Sequence, residues 1–323
     1  REASVAYITV IIVGLFFSII YNVLAANLRA IGDAYTPLIF LIISAVLNVV
    51  LDILCVKYMD MGVRGAAVAT VVSQAVSAVL CFGYTWKKYA FLHFNIKDFV
   101  PKKEFLKPML EGGLSMGLMN SLVSFGTLSL QTAINTLGTN TIVAHAATRK
   151  LTNLYMLPFS VLGTTMATYS GQNYGAGRYD RIRAGLKVSL GCSYIWCVIV
   201  LIASYTVCPY LIVAITDTGI SEVIDTACLY QRFDTCFYLL VPTITILRNS
   251  LQGIGDHITP IFSSGLELVG KVLIAMLLTP VIGYWGIIVS EPIVWAVMVI
   301  PLIVSMVKRM KRAFVNEKIR NEK

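Results

Sequence analysis

Charge is what this chain has least of. Only 13% of its 323 residues are Asp, Glu, Lys or Arg, about half the share of a soluble domain. With 57% hydrophobic residues and a mean hydropathy of +0.76, the chain has too little polar material to cover a water-facing surface. The expectation is a protein whose solvent is lipid. Histidine is scarcer still: His93, His145 and His257 share no spacing, so neither a metal-ligand pattern nor a cofactor is expected. The seven cysteines form no CxxC and all fall in or beside apolar segments. They read as small buried hydrophobes, not as disulfides or metal ligands. No cluster of His, Asp or Glu stands near a segment end, which argues against a membrane enzyme. Gly171–Gly177 is glycine-rich but lacks the GK[ST] of a phosphate loop, and reads as a helix end and turn. The net charge of +9 comes from basic residues lying between apolar segments and in the tail after Val307. That distribution fits membrane topology and not nucleic-acid binding.

What is present in quantity is long apolar sequence. Nine segments are long enough to cross a hydrocarbon core, which takes about 20 helical residues. They are Val5–Ala26, Pro37–Val56, Val63–Trp86, Pro108–Leu137, Thr141–Ser170, Arg183–Val207, Ala227–Leu251, Pro260–Pro280 and Trp285–Val307. Open strands leave backbone groups unpaired in lipid, so each is expected to be a helix. Several begin at a proline, whose missing N–H costs nothing there. The expected class is all-α integral membrane with nine transmembrane helices. The connections alternate in charge. On one side lie Arg29, the group Lys87, Lys88, Lys97, Lys102, Lys103 and Lys107, the group Arg178, Arg181, Arg183 and Lys187, then Arg248 and the tail. The other side holds only Lys57, Arg64 and Arg232, beside Asp60, Asp217, Glu222 and Asp225. The basic side, with the C-terminus, is therefore expected to be cytoplasmic. Residues 1–86 read as three helices, 87–107 as a cytoplasmic linker, 108–307 as six helices and 308–323 as a basic tail.

The chain also repeats itself. Leu28–Pro37 reads LRAIGDAYTP and Leu251–Pro260 reads LQGIGDHITP, six of ten positions identical at an offset of 223. Farther on, Gly62-Val63-Arg64-Gly65 and Gly283-Tyr284-Trp285-Gly286 recur at an offset of 221. Each copy lies between apolar segments, the pattern of transporters built from two related halves. The second copy has six helices and the first only three, so the repeat predicts three further helices before Arg1.

Six stretches carry a resemblance. They are Tyr21–Pro37, Asn48–Asp52 (NVVLD), Gly62–Gln74 (GVRGAAVATVVSQ), Gly171–Gly177 with Arg181, Leu251–Pro260 and Glu291–Trp295 (EPIVW). Together the chain resembles the multidrug and toxic compound extrusion (MATE) transporters, from their fourth helix to their twelfth. The resemblance implies twelve helices in two six-helix lobes around a cleft, the first lobe lacking its first three helices here. It implies a monomeric antiporter in the cell membrane that exports organic, mostly cationic compounds by alternating access. Inward Na+ or H+ flow would drive it, with no other cofactor. A lipid-linked sugar flippase of related fold would need a cationic cleft, and few basic residues lie within spans, chiefly Arg149, Lys150 and Lys271. An inactive truncated product stays open as a further alternative.

Asn48 and Asp52 stand four residues apart and share a helical face. An acid at membrane depth costs roughly 2.5–3.5 kcal/mol on insertion scales unless it is protonated, paired or bound to a cation. The plain alternative puts Asp52 at the outer helix end beside Lys57. The resemblance implies a cation site in the first lobe, and the family's positions fall on Asn22, Asn48, Asp52 and Thr70. The aspartate on the family's first helix has no counterpart in this chain. Asn120, Ser124, Thr127, Gln131 and Asn135 make one polar stripe, read as a wall of the substrate cleft or as interhelical hydrogen bonds. Five aligned polar residues are many to hide between helices, which favours the cleft. Glu267 and Lys271, also four apart, read as a structural ion pair. At offset 223 Lys271 replaces Asn48 and Ala275 replaces Asp52. Arg149 is expected to snorkel or pair. Some relatives couple through an acid on the helix that here carries Asp234. That residue reads as too near an outer helix end, so no second-lobe cation site is expected.

Overall fold

The computed structural model describes residues 2–93 and 102–321. Part of the proposed linker, with Lys97, and the final Lys323 lie outside them. The described chain is helical throughout and divides into two compact units, residues 1–101 and 102–323. The first holds α1 (Glu2–Ala30), α2 (Tyr35–Asp52) running into a π-helical turn (Ile53–Tyr58), and α3 (Gly62–Lys88). The second holds α4 (Lys103–Ile134), α5 (Thr139–Gly175), α6 (Tyr179–Thr206), α7 (Cys208–Thr216), α8 (Ser221–Thr235) and α9 (Leu240–Gly253). It continues with α10 (Ile258–Leu273), a second π turn (Ile274–Leu278), α11 (Thr279–Ile282) and α12 (Tyr284–Asn321).

Among the described residues, six helices are long and apolar enough to cross a membrane: Tyr7–Ala30, Tyr35–Tyr58, Gly62–Lys88, Tyr179–Thr206, Ile258–Ile282 and Tyr284–Arg312. Six of the nine expected segments fall on them. Pro108–Leu137 and Thr141–Ser170 lie on α4 and α5, whose polar stripes dilute their apolar character. Ala227–Leu251 is not one helix: the chain turns at 236–239, between α8 and α9. Helix α4 starts at Lys103, inside the proposed linker, and α12 carries on without a break into the basic tail as far as Asn321. The prolines do not open their helices. α2 begins two residues before Pro37, α10 two before Pro260, and Pro108 lies inside α4. At α2 and α10 an aspartate, Asp33 or Asp256, instead accepts from the amide of the second helical residue.

The repeat survives in atomic detail. In each copy a glycine with positive φ, Gly32 (95°) or Gly255 (82°), ends the preceding helix. The next amide reaches back five residues, Asp33 N to Leu28 O (2.9 Å) and Asp256 N to Leu251 O (2.8 Å). This closes the helix as glycine at such a position does. Each aspartate then accepts from the amide and hydroxyl of a threonine: Thr36 at 3.1 and 3.0 Å, Thr259 at 3.2 and 2.8 Å. Finally each clamps the far end of the unit's last long helix. Asp33 accepts from Tyr84 (3.0 Å) and Tyr89 (2.8 Å), with Lys88 at 3.9 Å. Asp256 accepts from Ser305 (2.8 Å) and from Arg309 Nε (2.9 Å). Tyr84 and Lys88 stand 221 positions before Ser305 and Arg309, so one clamp is built twice. Both π turns also begin 221 apart, at Ile53 and Ile274.

Burial works against a charged Asp33, but hydrogen bonds from Tyr89, Thr36 and Tyr84 outweigh it and hold its pKa at about 2. Asp256 is lowered in the same manner: burial is overcome by Ser305, Thr259 and Arg309. A carboxylate whose pKa is lower in the folded state contributes stability above its unfolded value, and that contribution is lost as pH falls through the folded value. Thermal stability in detergent should therefore drop as pH falls from about 4 to about 2. Asp33→Asn should weaken that acid limb. Identical acid limbs for the two proteins would show that the Asp33 clamp contributes nothing.

The main core of the second unit gathers Leu151, Phe159, Tyr238, Ile246 and Leu302. There α5 and α9 touch backbone to backbone. A Cβ on Gly253 would collide with the carbonyl of Ala167, and one on Gly171 would stand 3.0 Å from Gly253 O. All seven cysteines are free thiols; Cys192 on α6 and Cys236 in the turn after α8 are exposed, against expectation. Gly171–Gly177 does end a helix: Gly177 (φ 69°) lies in the turn and Arg178 N bonds Asn173 O at 2.8 Å.

Candidate functional site

Helix α2 places Ser44, Asn48 and Asp52 one turn apart on one face. Ser44 donates to Ser73 O at 2.7 Å, which ties that face to α3. One and two turns on, Asn48 Nδ2 and Asp52 Oδ1 are buried and have no hydrogen-bond partner. Buried polar atoms are nearly always satisfied, so each orphan asks for an explanation. Asp52 is also the last residue before the π turn, a distortion that recurs at functional sites. No ion pair joins Asp52 to Lys57, whose ammonium lies 5.9 Å from the ring centre of Tyr58. The outer-end pairing is therefore not what this carboxylate does.

The other two residues of the set are satisfied within their own helices. Asn22 is exposed on α1 and donates to Ser18 O at 2.8 Å. Thr70 is half-buried on α3 and donates to Ala66 O at 2.9 Å. Among the described residues no hydrogen bond links any two of Asn22, Asn48, Asp52 and Thr70. Two of the four, one turn apart on α2, thus keep open valences. The polar stripe follows α4 as expected, with Asn135 just past its end. Thr127 bonds Val123 O (3.0 Å) and Gln131 Nε2 donates to Asn135 Oδ1 (3.0 Å). Asn120 and Ser124 are exposed. None of the five hydrogen-bonds to another helix, so the interhelical alternative finds no partner among the described residues.

The second unit holds a constellation that the sequence revealed only in part. Lys271 Nζ lies 3.0 Å from Glu267 Oε1, the expected pair, and 3.2 Å from Glu291 Oε1 on α12. Arg149 of α5 approaches Glu291 at 3.6 Å, and Arg248 of α9 approaches Glu267 at 3.5 Å. Four helices are thus joined through five charges. Arg248 is a correction: it belongs to this buried chain, not to a basic loop, because α9 continues past it to Gly253. Glu291 went unassigned, although at offset 221 it occupies the place of Thr70. Asp234 is a second correction. It is 1% exposed, neither carboxylate oxygen has a hydrogen-bond partner, and it lies within electrostatic reach of Glu291, Arg149 and Lys271. The turn at 236–239 folds the end of α8 inward, so a helix end here is an interior position. Among the described residues no three His, Cys, Asp or Glu side chains gather to hold a metal ion.

Comparison with known proteins gives the lineage. The MatE family profile matches residues 1–54 and 116–277. The probable multidrug resistance protein YpnP of Bacillus subtilis is 31% identical over 176 residues, covering 54% of this chain and 39% of its own length. The multidrug export protein MepA of Staphylococcus aureus is 26% identical over 274 residues, covering 84% of this chain and 57% of its own. The chain therefore spans roughly half the length of these relatives. A crystal structure of MATE in the bent conformation superposes with a TM-score of 0.88 at 21% identity, over 97% of this chain and 70% of that one. The apolar helices, the doubled aspartate turn and the profile match across most of its length make this chain a member of the MatE family of multi-pass membrane proteins.

Proposed function

We propose that this chain works in a cation-coupled antiporter that exports organic, mostly cationic compounds by alternating access, with Na+ or H+ as the coupling ion. The observation that carries the proposal is the pair of buried, unpartnered atoms on Asn48 and Asp52. A half-turn of the Asn48 amide presents its oxygen in place of its nitrogen. An amide oxygen and a carboxylate on one face suit a hard cation, and the carboxylate alone suits a proton. Thr70 and Asn22 complete the set once their hydroxyl and amide leave their own helices. The repeat supports the grouping. In the second unit the residues at the places of Asn48 and Thr70, Lys271 and Glu291, touch at 3.2 Å. There a lysine ammonium fills by covalent attachment the place that a mobile ion would take in the first unit. The polar stripe along α4, from Asn120 through Ser124, Thr127 and Gln131 to Asn135 just past its end, is the proposed substrate wall. The names of YpnP, a probable multidrug resistance protein, and MepA, a multidrug export protein, support drug export in general. The basic helix ends and the C-terminus are oriented to the cytoplasm of a plasma membrane. The sugar-flippase alternative loses support, since Arg149, Arg248 and Lys271 each already answer a carboxylate.

The test is efflux of a fluorescent organic cation from cells expressing the transporter, driven by an imposed ion gradient. Asp52→Asn should lower gradient-driven export at least about tenfold, the loss expected when a group worth more than 1.4 kcal/mol to ion binding is removed. Equal membrane levels of the two proteins must accompany the loss. Unchanged, gradient-dependent export would remove Asp52 from the mechanism.

A further inference from the structure

The ion and substrate sites leave unused a cavity of about 720 Å³ at the basic end of the second unit. It lies between the first turns of α10, the C-terminal end of α5 and the stretch of α12 where hydrocarbon gives way to charge. Its lining is apolar at Ile258 and Phe262 of α10 and Val304 of α12, and basic at Lys308, Arg309 and Arg312 of α12. The apolar lining is strongly exposed: Ile258 by 80% and Phe262 by 58%. In α12 the apolar run stops at Val307 and the cations begin at Lys308, so the cavity straddles the level where a membrane meets water. Arg309 is fixed in place by Asp256 at 2.9 Å. Lys308 and Arg312 have no acidic partner among the described residues.

We propose that this cavity binds the headgroup of an anionic phospholipid. Its phosphate sits between Lys308 and Arg312 and its acyl chains lie against Ile258, Phe262 and Val304. The two kinds of lining select the occupant by charge and polarity together. A small water-soluble anion has no use for exposed Ile258 and Phe262, and a neutral lipid leaves Lys308 and Arg312 unanswered. Basic pockets beside transmembrane helices on the positively charged side recognise lipid headgroups for this reason. The site sits on the Asp256 clamp, so its occupant would brace the contact between the α9–α10 turn and α12. The proposal needs the membrane setting but not the ion site, and it stands or falls apart from Asp52.

The experiment is native mass spectrometry of the purified chain in detergent, titrated with phosphatidylglycerol, phosphatidylcholine or inorganic phosphate. Phosphatidylglycerol should bind at least about tenfold more tightly than phosphatidylcholine. The double variant Lys308→Gln with Arg312→Gln should weaken phosphatidylglycerol binding about 30-fold, since each basic residue near a headgroup is worth roughly a tenfold-scale contribution or somewhat less. Lys311→Gln on α12 with Arg183→Gln on α6 removes the same charge from a separate pocket that these two residues line, and should leave binding unchanged. Phe262→Ser should weaken the lipid and not phosphate. Equal losses from the two double variants would reduce the effect to general surface charge and overturn the site. Phosphate that binds as tightly as the lipid would overturn the lipid assignment.

Discussion

Lys271→Met should be the most damaging conservative-sized substitution in the second unit, costing about 3–5 kcal/mol. The side chain is 3% exposed and stands between Glu267 and Glu291. Removing it leaves two buried carboxylates facing each other with Arg149 and Arg248 only at the ends. Taking one partner from a buried charge network is far costlier than replacing the whole network, because the survivors stay desolvated. The measurement is the apparent melting temperature of the purified protein in detergent, which should fall by on the order of 10 °C. The repeat supplies the control. Lys271→Asn with Glu291→Thr installs the residues found at Asn48 and Thr70 and deletes one charge of each sign. That pair should be milder than the sum of its single changes by about 1 kcal/mol or more. Additive losses would mean that Lys271 and Glu291 do not act on each other.

Gly253→Val should cost about 3 kcal/mol, at the upper end for overpacking. The reason is what the new atoms would meet: the Ala167 carbonyl, which is α5 backbone and cannot step aside as a side chain can. Relief would require α5 and α9 to part along the contact that Gly171 also serves. The matched position in the first unit is Ala30, on an exposed helix end. Ala30→Val should change stability by no more than about 0.5 kcal/mol. Comparable melting-temperature losses at both positions would mean that the α5–α9 approach is not what Gly253 provides.

Much of the site was legible before any coordinates. Asn48 and Asp52 are visible as an amide and an acid four apart in apolar sequence, but that Asn48 Nδ2 and Asp52 Oδ1 are buried without partners was seen only in the structure. The two GDxxTP copies were legible as a repeat, while the positive φ of their glycines and the aspartate–threonine bonds came from the structure. The partners of the two aspartates were not legible. Tyr84 and Ser305 are different residues that do one job, so identity matching passes over them. Glu291 was hidden differently. Its significance lies in the lysine and arginine of two other helices, and periodicity along α12 carries no word of them. The turn at 236–239 escaped because hydropathy reports the transfer of side chains into lipid. It is silent on where a backbone within that apolar run stops being helical. Asp234 was misplaced for the same reason: distance from a segment end stood in for depth, and a folded-back end is interior.

The sequence by itself determined the solvent, the helical class and the twofold repetition. Scarce charge and long apolar runs allow nothing else in lipid, where every backbone group must be paired within the chain. Only the tertiary structure decided how charges meet across helices. It gave the second unit a lysine held between two glutamates, and gave each unit an aspartate clamped to the end of its last long helix. The physical reason is range. Composition and periodicity act within a segment, while a buried charge is settled by whatever neighbouring helices bring within about 4 Å of it.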